Sequence, residues 1–193
     1  MKKIIIINSY KEYKKFLRKI KYYKTIIFYN TIFKLDSSIE NEYLDSIVES
    51  LNIKNRKERI EYVYDRLCNI FDEKMELGIC KFKNNKCIVQ QKNRSKSCNG
   101  CCLNCSHQKN KVCNTQNLAC KLFYCPRIKK SYSVLKMKDI PLFKLLSARQ
   151  KIILKYDFFS SREELLRDLY SYSFLFTTIK ILNRSKKNYI SRK

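Results

Sequence analysis

The sequence predicts a mainly α fold of the α+β kind, with helices flanking a cysteine-rich metal-binding insert that carries a small β-hairpin. Three observations predict it. Apolar residues recur at helical spacing on both sides of the chain's middle third. Glycine and proline number two each in 193 residues, too few to punctuate a turn-rich β architecture. Nine of the ten cysteines fall between Cys80 and Cys125. These divide the chain into an N-terminal helical part, 1–78, a cysteine-rich segment, 79–130, and a C-terminal helical part with a basic tail, 131–193. The length suits one compact domain overall.

Ile4 to Ile7 form a short apolar run, read as a buried strand. Ser9-x-x-Glu12 has capping-box spacing and opens a helix in which Tyr13, Phe16, Leu17, Ile20 and Tyr23 share one face. Lys14, Lys15, Arg18 and Lys21 take the other. Thr25 to Phe33, rich in aromatic and β-branched residues, follows as a second strand-like run, with a continuation of the helix as the competing reading. Asp36-Ser37-Ser38 offers N-cap side chains to a helix with Ile39, Tyr43, Leu44, Ile47, Val48 and Leu51 inward. A longer helix begins near Asn55, turns Ile60, Val63, Tyr64, Leu67, Phe71 and Met75 inward, and stops at Gly78. Cys68 lies beside that apolar face, so it reads as core packing.

Ile79 to Lys83 and Lys86 to Val89 flank Asn84-Asn85, a pair that tolerates the positive φ of a two-residue hairpin loop. Such a hairpin draws Cys80 and Cys87 together at its base. Beyond the cysteines, Pro141 starts a helix to about Leu154 with Leu142, Phe143, Leu145, Leu146, Ile152 and Ile153 inward. Ser160-Ser161-Arg162-Glu163-Glu164 contains a second capping box and opens a helix with Leu165, Leu166, Leu169, Leu175 and Phe176 inward. Asn183 to Lys193 is basic and aperiodic, and reads as a frayed tail.

The cysteines carry the chemistry. Cys98-Asn-Gly-Cys101 and Cys102-Leu-Asn-Cys105 are abutting C-x2-C units, a spacer that turns consecutive sulfurs onto one ion. The candidate ligands are Cys80, Cys87, Cys98, Cys101, Cys102, Cys105, Cys113, Cys120 and Cys125, with the single histidine, His107, as a further one. Disulfides and inert buried thiols compete with this reading. Disulfides need an oxidising compartment, whereas Ile4 to Ile7 is too short for a secretory apolar region, so the expectation is a cytoplasmic chain with reduced thiols. Inert thiols sit in apolar periodicity, whereas these lie among Lys, Asn, Ser and Gln. Zinc suits sets of four thiolates, and the sulfurs suffice for two ions, for example within Cys98 to Cys105 and within Cys113 to Cys125. An iron-sulfur cluster is the alternative cofactor: Cys125-Pro126 echoes a ferredoxin ending, but the C-x2-C-x2-C run is interrupted where Cys101 and Cys102 adjoin.

Ser97-Cys98-Asn99-Gly100-Cys101-Cys102, followed by Cys105, Cys113, Cys120 and the Phe123-Tyr124-Cys125-Pro126 ending, resembles the zinc- or iron-chelating cysteine-cluster proteins of the YkgJ type over about a quarter of the chain. Asn99 stands where that family commonly has glycine. The flanking helices suggest a small bacterial group of cysteine-rich proteins. The resemblance implies a bound metal and assigns no catalytic residue.

The net charge of +25 is segregated: residues 1–35 carry +9, 36–78 carry −5, 79–140 carry +13 and 141–193 carry +8. Bases around the cysteines offset the net −2 of a tetrathiolate zinc site and lower thiol pKa values. A nucleic-acid partner is the other use of such charge. If Leu142–Leu154 and Ser161–Tyr170 form a helix-turn-helix, Arg162 and Arg167 are the candidate nucleic-acid contacts. A plain helical pair packed on the core is the competing reading. No apolar run approaches the 18 residues of a membrane span. The one histidine lies within the cysteine segment, which leaves no separate base for a Ser or Cys nucleophile and speaks against an enzyme. The sequence therefore predicts a metal-binding protein, with a zinc-containing nucleic-acid-binding or regulatory protein and an iron-sulfur redox protein as alternatives.

Overall fold

A computed structural model describes residues 3–23, 30–36, 41–74, 82–83, 86–87, 108–109, 112–113, 115–124, 129, 133–158, 160–171 and 179. The fold is mainly helical with a small parallel sheet, in the order β1 (Lys3–Ile7), α1 (Tyr10–Tyr23), β2 (Thr31–Leu35), α2 (Glu42–Asn52), α3 (Arg56–Lys74), β3 (Phe82–Lys83), β4 (Lys86–Cys87), β5 (Gln108–Lys109), β6 (Val112–Cys113), α4 (Leu118–Lys121), a 3-10 turn (Pro141–Leu145), α5 (Ala148–Tyr156) and α6 (Arg162–Tyr170). Backbone contacts group it into two compact units, Met1–Leu67 with Met137–Ala148, and Cys68–Lys136 with Arg149–Lys193.

In the first unit β1 and β2 pair in parallel, Ile5 opposite Phe33 and Ile7 opposite Leu35, joined by α1 in a β-α-β arrangement. The Ser9 hydroxyl accepts from the Glu12 amide at 3.3 Å, and the Glu12 carboxylate reaches back to the Asn8 amide, also at 3.3 Å. The expected capping box is therefore made with its backbone donor one residue early, the Asn8 amide in place of that of Ser9. Tyr13, Phe16 and Ile20 are buried, and the Phe16, Tyr23 and Phe33 rings meet with centroids 5.2 to 5.9 Å apart, so α1 is clamped onto β2 by aromatic contact.

β1 departs from the buried strand that its composition suggests. Ile7 is buried, but the alternation of the pleat turns Ile4 and Ile6 outward, where they are exposed. β2 lies later than expected, reaching Leu35; residues 24–29, which hold the first part of the predicted strand, lie outside the described residues. The outer edge of β2 is closed by side chains: Asn52 accepts from the Phe33 amide and donates to the Phe33 carbonyl, both at 2.9 Å, and the Lys54 ammonium donates to the Thr31 carbonyl at 2.6 Å. Asn52 stands in for a strand residue and blocks that edge to pairing.

Asn41, rather than the earlier Asp-Ser-Ser run, caps α2, its carboxamide oxygen accepting from the Tyr43 and Leu44 amides. Leu44, Ile47, Val48 and Leu51 are buried as the periodicity required. Ile39 falls outside the described residues. Asn55 caps α3, accepting from the Lys57 amide at 2.9 Å, and Ile60, Val63, Tyr64 and Leu67 are buried on that helix. α2 and α3 are tied by Arg66 to Ser46 at 2.9 Å and by the Tyr62 hydroxyl, which donates to the Glu49 carboxylate. Burial, and then that acidic partner, push the Tyr62 phenol up to about 12.

The helix expected over Leu142–Leu154 is broken in two. Pro141 opens a 3-10 turn, Leu146 is extended at φ −86° and ψ 145°, and α5 starts afresh at Ala148. The break falls two residues before the end of the first unit's second segment: Leu142, Phe143, Leu145 and Leu146 belong to that unit and are buried, and Gln150, Ile153 and Leu154 belong to the second and are buried.

Candidate metal centre

The second unit supplies the frame for the cysteine segment. α4 is one turn of helix, too short to be stable by propensity, and side chains from elsewhere in the unit hold it. Asn117 caps it: its side-chain oxygen accepts from the Cys120 amide at 3.0 Å, while its Nδ2 donates to the Asp157 carbonyl at 2.8 Å and the Ser160 carbonyl at 3.0 Å. Asn117 is itself buried, so one carboxamide ties α4 to the α5–α6 connector. The Lys121 ammonium pairs with Asp72 near the end of α3. Leu118 and Ala119 are buried, and Cys120 is left half-buried on the remaining side of the turn. The frame thus fixes the backbone of one candidate ligand.

Two short antiparallel hairpins present two more. In the first, Lys83 faces Lys86 and Phe82 faces Cys87, so the loop is the two residues Asn84-Asn85 that the sequence indicated. In the second, Lys109 faces Val112 and Gln108 faces Cys113, around a two-residue loop of Asn110-Lys111. Sequence reasoning missed this second hairpin. Its signal was Asn110, a residue that tolerates a left-handed backbone, between two short runs. Its register returns Cys113 to the level of Gln108, the residue after His107 and three after Cys105.

Cys80, Cys98, Cys101, Cys102, Cys105, Cys125 and His107 lie outside the described residues. Among the described residues, no three of His, Cys, Asp and Glu come together. Cys68 is buried as expected of a core thiol, with its sulfur 3.8 Å from the Gln116 carbonyl, a weak donor contact.

The region proposed as a helix-turn-helix is internally committed at its first helix. Arg149 donates to the Asp168 carbonyl at 3.3 Å and the Leu169 carbonyl at 2.9 Å, and Gln150 donates to Leu169 at 3.2 Å. Both side chains close the C-terminal carbonyls of α6. The Ser161 capping box is present, Ser161 accepting from the Glu164 amide and the Glu164 carboxylate accepting from the Ser161 amide, both at 3.2 Å. Leu165, Leu166 and Leu169 are buried; Leu175 and Phe176 lie outside the described residues. Arg162 is half-buried and Arg167 exposed, and five residues along α6 set them about 140° apart around the helix.

Among the described residues no helix is long and apolar enough to cross a membrane. No protein-family model, no curated protein and no solved structure matches the chain.

Proposed function

We propose that the chain is a metal-binding protein in which the cysteines between Cys80 and Cys125 hold zinc as a structural ion. The observation that carries the reading is the concentration of nine thiols in a polar, basic segment that contains two abutting C-x2-C units. The hairpin registers support it. Cys87 faces a residue two positions after Cys80, and Cys113 faces one three positions after Cys105, chain separations of at most about 7 and 11 Å. The capped turn that carries Cys120 supports it as well, because a ligand on an ordered backbone loses less entropy when it binds.

The reading places the protein in the cytoplasm, where thiols stay reduced. In it, zinc replaces the apolar core that 79–130 lacks, and the lysines and arginines around it balance the excess thiolate charge. The resemblance to cysteine-cluster chelators points the same way.

Elemental analysis of the purified protein tests this. One or two zinc ions per chain, with a colourless solution, are expected. A brown protein that contains iron and absorbs in the visible range replaces zinc with the iron-sulfur alternative, and a metal-free protein that folds normally overturns metal binding altogether.

A further inference from the structure

The strongest unexplained feature lies in the first unit, on the solvent side of α1. Tyr10 and Tyr22 are 67% and 66% exposed, large values for aromatic side chains on a helix whose other aromatics are packed. They are 12 residues apart, about 18 Å along the axis. Between them Lys11, Lys14, Lys15, Arg18 and Lys19 are all exposed. At about 100° per residue these seven side chains fall within one half of the helix circumference, opposite Tyr13, Phe16 and Ile20. Glu12, the acid in this stretch, has its carboxylate on the Asn8 amide at 3.3 Å, at the helix entry and off the centre of the basic face. The Lys14 ammonium sits 4.7 Å from the Tyr10 ring centroid, so cation and ring already form one surface.

We propose that this face of α1 binds single-stranded nucleic acid, the lysines and Arg18 neutralising consecutive phosphates while Tyr10 and Tyr22 stack on bases at the two ends of the site. The chemistry selects among polyanions. A membrane surface would need the apolar face of the helix, and that face is buried against β2 and the core. A duplex keeps its bases stacked on one another and offers nothing to the two phenol rings, whereas an open strand offers a π-face at every nucleotide. The inference does not depend on the metal reading, since it uses no residue of the cysteine segment.

The test is fluorescence anisotropy of the full chain with a labelled 12-nucleotide oligo(dT) or oligo(U), beside the same length of duplex, heparin, and vesicles containing anionic lipid. Because other basic segments contribute background affinity, variants carry the decision. The Tyr10→Ala, Tyr22→Ala double variant is expected to weaken single-strand binding at least about fivefold, while Tyr10→Phe, Tyr22→Phe retains it, because stacking needs the ring and not the hydroxyl. Changing Lys14, Lys15 and Arg18 together to Gln removes about three phosphate contacts. The slope of log affinity against log salt then falls by about 2. All five side chains are exposed, but the Tyr10 ring also meets the Tyr13 ring at 6.0 Å, so a thermal melt of each variant establishes that it is folded at the assay temperature before its affinity is read. Single-strand binding untouched by either set, tyrosine variants that behave alike, heparin or duplex bound as tightly as the oligonucleotide, or vesicle binding without oligonucleotide binding would each overturn the proposal.

Discussion

Asn117→Ala is the sharpest probe of how the second unit is held together. The substitution removes three hydrogen bonds at once: two from Nδ2 to the Asp157 and Ser160 carbonyls, at 2.8 and 3.0 Å, and one from the Cys120 amide to the side-chain oxygen, at 3.0 Å. Asp157, Ser160 and Asn117 are all buried, so water does not readily replace the lost donor. Two stranded carbonyls at about 1.5 kcal/mol each and a lost helix cap at about 1 kcal/mol give a destabilisation of about 4 kcal/mol. In urea, with a slope of about 2 kcal/mol/M, the unfolding midpoint should fall by about 2 M. Far-UV circular dichroism against urea measures it. Asn117→Asp separates the two roles, since it keeps the capping oxygen but aims a carboxylate at two carbonyl oxygens. It should be at least as damaging as alanine at neutral pH and partly relieved in mild acid, where a protonated carboxyl can donate one bond. Were both variants to unfold within about 1 kcal/mol of the wild type, the assignment of Asn117 as the tie between α4 and the α5–α6 connector would be wrong.

Other expectations follow from the same contacts. In the Lys121–Asp72 pair the lysine side chain is 5% exposed and the aspartate 48%, so the order of damage should be asymmetric. Asp72→Asn strands a buried ammonium and should cost about 2 kcal/mol or more, while Lys121→Met leaves a carboxylate that water can reach and should cost about 1 kcal/mol or less; equal melting shifts would contradict it. Tyr62 keeps its proton up to about pH 12 in the folded chain and only to the ordinary value of 10.0 when unfolded. Its contribution is therefore full below pH 10 and is lost as pH rises through 12, worth about 1 kcal/mol once the solvent screening of a partly exposed pair is allowed for. Tyr62→Phe should flatten that part of the alkaline stability curve, and an unchanged curve would dismiss the Tyr62 phenol as its source. Cys101→Ser removes a proposed zinc ligand and should cost several kcal/mol together with bound metal, whereas Cys68→Ser alters one buried contact at about 1 to 2 kcal/mol with metal retained. Matching melting temperatures and metal contents would refute the ligand role.

Local codes were legible where the chemistry is local. Ser9 with Glu12 and Ser161 with Glu164 announced helix starts, and Asn84-Asn85 announced a two-residue hairpin, because each depends on a few neighbouring atoms. The inward positions of α2, α3 and α6 followed from a 3.6-residue period. The misplaced cap of α2 shows the limit of such codes. Asp36-Ser37-Ser38 and Asn41 are all acceptable caps, and the structure uses Asn41.

What sequence alone determined about this protein is its mainly helical character, the identity of most core side chains, and the gathering of sulfur in one polar segment. These are set by composition and by spacing along the chain. Only the tertiary structure decided that Asn52 closes the edge of β2, that Asn117 gathers carbonyls 40 and 43 residues away, that Arg149 and Gln150 close α6, and that the helix after Pro141 breaks at Leu146. The side-chain closures among them join groups at least 19 residues apart in sequence. Buried backbone polar groups must find partners wherever the fold brings them, and no local pattern records which side chain will be near enough to serve.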